Sequence, residues 1–161
     1  GFLFSGTIAS NIRYGNESAS ENEVENAAEI SQSMDFIMEK TKKFNDDIAQ
    51  GGTNVSGGQK QRLSIARAIV RNPAVYIFDD SFSALDYKTD ASLRKALSDR
   101  TKESTIIIVA QRISTVLNAE QIIVLDEGRI AGIGSHKELL RTCETYRQIA
   151  GSQRSKEELA E

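Results

Sequence analysis

The sequence predicts an α/β fold with a largely parallel sheet. Two unbroken apolar runs, residues 74–79 and 105–110, read as strands buried on both faces. Helical patterns alternate with these strands through the second half of the chain, which places them in α/β units. The first half reads mostly helical.

In chain order, residues 7–13 show apolar side chains at helical spacing after Ser5-Gly6. Ser20 precedes Glu23 as a capping box for a helix through Ile30. Residues 34–38 suggest a short helix, and the polar, glycine-containing residues 46–56 a loop. A long helix follows over 57–71, with Leu63, Ile65, Ala66, Ile69 and Val70 on its apolar face. Asn72-Pro73 ends it, because a residue before proline is pushed out of the α region. After the strand at 74–79 come a helix at 90–100, the strand at 105–110 and a short helix at 113–117. Residues 121–126 and 129–133 form a hairpin around Glu127-Gly128. Ser135 caps a helix at 137–140, and a last helix covers 144–150. The charged tail, 151–161, is expected to fray. No internal repeat is visible.

The 161 residues suffice for one domain with a real core. A first residue that is Gly reads as a fragment or a processed piece. A net charge of −3 with mixed signs argues against a broad nucleic-acid surface, though not against a local anion site. Cys143 is the single cysteine, so no internal disulfide can form and a reducing compartment fits; the thiol itself reads as a small, partly buried apolar group. No apolar run approaches the ~18 residues of a membrane span. The chain by itself therefore reads as soluble, with membership of a membrane-bound assembly left open.

Two segments point to chemistry. In Val55-Ser56-Gly57-Gly58-Gln59-Lys60, two glycines sit in the first turn of a helix. Backbone N–H groups without side chains can approach a ligand closely, and the helix N-terminus carries partial positive charge, so the turn suits a phosphate. Lys60 and Arg62 add charge where the dipole prefers acid. The plainer alternative is a capping box of Ser56 and Gln59, which explains those two residues but not the glycines. In Tyr76-Ile77-Phe78-Asp79-Asp80, an apolar strand delivers a carboxylate to the carboxyl edge of the sheet, where open α/β folds bind ligands. Asp79 there suits Mg²⁺ held partly through water, and Asp80 could orient a water for attack. A turn or cap role remains open for either.

Other patterns lack their defining residues. Gly52 and Gly57 have P-loop spacing but are followed by Gly58-Gln59, not Lys-Ser/Thr. Gly132 and Gly134 lack the third glycine of a dinucleotide fingerprint. His136, the only histidine, reads as a surface residue, and one His with one Cys excludes an ordinary zinc site.

Together these segments resemble the nucleotide-binding domain of an ABC transporter of the multidrug/lipid exporter type. Residues 55–59 resemble the ABC signature and 76–79 the Walker B strand; Ser83-Ala84-Leu85-Asp86 matches the D-loop, and Val109-Ala110-Gln111-Arg112 falls at the switch segment. Leu3 to Ile8, with Asn11-Ile12, resembles the segment just after the Q-loop. The resemblance runs from residue 2 to about residue 150. It implies a P-loop NTPase (RecA-like) core plus the ABC helical subdomain. Residues 1–72 would be the helical subdomain ending in the signature helix, and 73–150 the C-terminal half of the core. Walker A would lie upstream, in a part this piece lacks, so the fragment alone would be inactive.

The resemblance also implies an ATP hydrolase working with ATP and Mg²⁺ at the cytoplasmic face of the cell membrane. Two such domains would close head to tail and power attached transmembrane domains, with the membrane reached through missing N-terminal spans and no nucleic acid involved. Ser56, Gly57, Gly58 and Gln59 would contact the γ-phosphate of the partner's ATP. Asp79 would help hold Mg²⁺, Asp86 would report across the dimer, and the loop 48–52 would meet transmembrane helices.

Two positions depart from the family pattern. Asp80 stands at the catalytic Glu position and Gln111 at the switch His position. Aspartate is one methylene shorter, roughly 1.5 Å. Glutamine cannot become cationic. Both changes fall on the site built on this domain's own Walker B, while the signature that serves the other site is intact. That asymmetry resembles the degenerate-site subunit of a heterodimeric exporter. The alternatives are a non-hydrolysing regulatory ABC subunit, and a soluble ABC-type ATPase of DNA repair or chromosome machinery.

Overall fold

Side-chain caps set where most helices begin in this computed structural model, which describes residues 1–158. The helices are α1 (Ile8–Arg13), α2 (Glu21–Ile30), α3 (Met34–Glu39), α4 (Gly57–Val70), α5 (Tyr87–Arg100), α6 (Ile113–Val116), α7 (His136–Thr142) and α8 (Glu144–Glu158). α1, α2, α4 and α7 open on reciprocal capping boxes, headed by Thr7, Ser20, Ser56 and Ser135. Asp86 caps α5, so that helix begins three residues before the apolar pattern suggested. α8 continues past Ala150 into the charged tail. Residues 159–161 of that tail lie outside the described residues.

The described strands form three pairs. β1 (Gly6–Thr7) and β2 (Asp47–Ile48) are antiparallel. β3 (Val75–Asp79) neighbours β4 (Thr105–Val109), with α5 between them in the chain. β5 (Ile122–Asp126) and β6 (Arg129–Gly134) form the antiparallel hairpin. The α/β class stands, with small separate sheets. The strands are not buried on both faces as their continuous apolar runs suggested. In β3, Tyr76 and Phe78 are buried, whereas Val75 and Ile77 are 48% and 69% exposed. In β4, Ile106, Ile107 and Val109 are exposed. Nothing among the described residues covers those outer faces.

Two compact units emerge, Gly1–Ile107 and Ile108–Glu161. In the first, α4 packs against α1 and α2, and Leu63, Ala66 and Ile69 of α4, Ile8 and Ile12 of α1, and Ala27 and Ala28 of α2 are buried. Arg67 fastens the N-terminal segment to α4. Its guanidinium donates to the Asn11 carbonyl and side chain and to the Phe2 carbonyl at 2.8–2.9 Å, and it lies over the Phe4 and Tyr14 rings. The expected loop at 46–56 contains β2 and a turn of 3₁₀ helix, Gln50–Gly52, because β1 offers it a pairing edge. In the second unit, the hairpin lays Ile122 and Val124 on Leu139, Cys143 and Tyr146 of the α7–α8 region.

Candidate functional site

The N-terminus of α4 forms the capping box and also leaves backbone donors. Gln59 N–H donates to Ser56 Oγ at 3.2 Å, and Ser56 N–H donates to Gln59 Oε1 at 3.0 Å. Ser56 and Gln59 thus occupy each other, while the Gly57 and Gly58 N–H groups lie outside the box. The two glycines have different reasons. A Cβ on Gly58 would stand 3.1 Å from the Ala84 carbonyl oxygen, a backbone atom that cannot swing away. Glycine at 58 therefore lets the 81–86 turn lie against α4 without a shift. A Cβ on Gly57 would meet Ala84 only at 3.8 Å, an ordinary contact. Packing does not demand glycine there. Gly57 is exposed. Arg62 does not add charge to this turn. It donates to the Gln32 carbonyl and the Asp35 carboxylate and stacks over Phe36, fastening α4 to α3.

β3 ends at Asp79, as the sequence predicts, and delivers Asp79 and Asp80 to the surface. Neither carboxylate has a hydrogen-bond or ion-pair partner among the described residues; only the two carbonyls are engaged, by Ser81, Ser83 and Gln61. An exposed carboxylate with all its lone pairs available fits a hard cation bound partly through water, so Asp79 fits Mg²⁺. Asp80 sits at φ 47°, in the left-handed region, where aspartate is among the better tolerated residues. The Asp86 carboxylate is taken up by the cap, accepting from Thr89 N–H at 3.0 Å and Thr89 Oγ1 at 2.6 Å. The Thr89 side chain first, and then its N–H, holds the Asp86 carboxyl below its ordinary value.

Gln111 lies in the second unit, just before α6, with its side chain exposed. Its carbonyl accepts from Gln153 Nε2 at 2.6 Å, and Gln153 Oε1 accepts from Ile113 N–H at 2.7 Å. One amide on α8 thus grips the backbone on both sides of Arg112. The first unit gathers residues 56–59, Asp79, Asp80 and Asp86; Gln111 belongs to the other. Sequence reasoning missed Gln61 and Gln153. Both are polar residues whose partners are distant in sequence, so no local pattern marks them.

The ABC transporter family model matches residues 4–83. An uncharacterized ABC transporter ATP-binding protein of Mycobacterium tuberculosis is 47% identical over 155 residues, covering 94% of this chain and 26% of that protein. ATP-binding cassette sub-family B member 5 of Homo sapiens is 42% identical over 151 residues, covering 94% of this chain and 12% of that protein. The solved structure of a bacterial Atm1-family ABC exporter with ATP bound superposes with a TM-score of 0.91 at 38% identity, covering 94% of this chain and 27% of that one. The chain thus spans about a quarter or less of these relatives. No described helix is long and apolar enough to cross a membrane. The family model, the relatives' identity and the superposition agree that the chain belongs to the ABC transporter ATP-binding domains.

Proposed function

We propose that this chain is part of the ATP-hydrolysing domain of an ABC exporter, on the cytoplasmic side of the membrane, paired head to tail with a second such domain and driving attached transmembrane domains. In this reading the Gly57 and Gly58 N–H groups, with Ser56 and Gln59, meet the γ-phosphate of ATP held by the partner. Asp79 takes the Mg²⁺, which supplies charge neutralisation at the phosphates when bound. Asp80 faces the attacking water of the chain's own site, Gln111 takes the switch position, and Asp86 lies at the dimer contact.

We further propose that the chain's own ATP site is slow, and that its signature serves a competent partner in a heterodimer. The observation that carries this is the contrast within the chain. The Ser56–Gln59 turn keeps its glycines and free donors, while Asp80 and Gln111 replace the groups suited to polarising water and to sensing phosphate. The test is Asp80→Glu combined with Gln111→His in the intact transporter, with the partner's own site disabled. Turnover should rise at least tenfold. No gain would overturn the degenerate-site reading. Zero turnover in the starting protein would favour a purely regulatory site.

A further inference from the structure

Gln61, two residues beyond the signature turn, makes three hydrogen bonds to the turn that follows β3. Its Nε2 donates to the Asp80 carbonyl at 3.3 Å and to Ser83 Oγ at 3.1 Å; its Oε1 accepts from Ala84 N–H at 3.0 Å. The orientation of the amide is settled by chemistry, because Ala84 N–H can only donate and so must face the oxygen. Ser83 Oγ also donates to the Asp80 carbonyl at 3.0 Å, closing a small network around a residue held at φ 47°. The contact is close as well as polar, since a Cβ on Gly58 would stand only 3.1 Å from the Ala84 carbonyl oxygen. The partners are 19 to 23 residues from Gln61 in sequence, so a side-chain bridge, not chain continuity, joins helix and turn here.

We propose that Gln61 is a positioning residue that locks the signature end of α4 to the Asp80–Asp86 turn, making them one mechanical unit. The proposal rests on the function given above. The signature serves the partner's ATP, whereas Asp80 belongs to the chain's own site. The amide therefore carries a displacement at one nucleotide to the turn that bears on the other. Gln61 touches neither nucleotide. Its loss should spare ATP affinity and lower the rate of the coupled cycle.

The test uses the intact transporter and its partner. Gln61→Ala removes all three bonds. Gln61→Glu keeps the acceptor for Ala84 N–H but loses both donors, to the Asp80 carbonyl and to Ser83 Oγ. Gln61→Ala should lower kcat for ATP about tenfold, with KM within twofold and Tm within a few degrees of the unaltered protein. Gln61→Glu should recover part of the loss, with kcat down about threefold. Unchanged kcat in Gln61→Ala overturns the proposal, as does a fall in kcat that tracks a fall in Tm and is not relieved by glutamate. Should Gln61→Ala fail to fold, Gln61→Glu decides: kcat equal to the unaltered protein's overturns the proposal. Absence of ATP turnover in the unaltered transporter instead overturns the function reading, and removes the coupling role with it.

Discussion

Asp80 can be read in two ways. By chemistry it is a carboxylate one methylene shorter than glutamate. By conformation it is a residue well suited to φ 47°. The conformational reading lowers the fold's need for any other residue there and says nothing of rate, so the exchange to glutamate has to be judged on turnover alone. Gln153 poses a cleaner question. Its amide holds the Gln111 carbonyl and the Ile113 N–H, and each such bond contributes about 1 kcal/mol net. Gln153→Ala should therefore speed hydrogen exchange at the Ile113 amide about fivefold or more, read by residue-resolved exchange in the presence of nucleotide. Exchange unchanged there would mean the backbone holds itself.

At the scale of elements, capping governs both position and acid sensitivity. The Ser20 side chain first, and then its N–H, holds Glu23 below the ordinary 4.5. For Glu138 the larger effect is the Ser135 N–H, followed by the Ser135 hydroxyl. Asp86 is held below 3.8 by Thr89. A folded-state pKa below the unfolded one means that the unfolded chain binds protons more readily. The stabilisation is fully present above the ordinary carboxylate values and is lost as pH falls through the lowered ones. All three groups are exposed, so solvent screening keeps each effect modest. Thermal unfolding followed into acid should show Tm falling below that window. Ser20→Ala should lower Tm at neutral pH, and the deficit should narrow in acid to what the Glu23 N–H bond to the Ser20 hydroxyl contributes. A constant Tm offset at every pH would refute the role of the Ser20–Glu23 pair.

At the scale of the molecule, the hairpin has two apolar faces and one cover. Ile122 and Val124 lie under the α7–α8 region, while the cross-strand pairs Ile123–Ile133 and Leu125–Ile130 face outward at 53–67% exposure. Paired apolar residues on an open face promote association. The isolated chain should self-associate with rising concentration in light scattering. Ile123→Lys with Ile133→Glu should reduce the apparent mass while preserving the hairpin, since opposite charges are well placed across the ladder. An unchanged mass would show that another surface drives association.

Helix starts were legible in the sequence at three places where a hydroxyl stands three residues before a glutamate or glutamine. At Ser20, Ser56 and Ser135 the signal and the bond that answers it lie within one turn. The Tyr76–Asp79 strand and its terminal carboxylates were legible for the same local reason. Strand burial was not. An apolar run states what a strand can bury, and only the surrounding elements decide how many faces are covered. Nor could the sequence separate Gly57 from Gly58. They are adjacent and identical, yet only Gly58 lies against the Ala84 carbonyl. Gln61 and Gln153 gained their partners in the same way, from segments 19 to 42 residues distant. Sequence by itself determined the local hydrogen bonds and the family, because each depends on residues close along the chain. Tertiary structure alone decided which polar side chains join one motif to another, because a hydrogen bond requires about 3 Å in space and places no limit on distance along the chain.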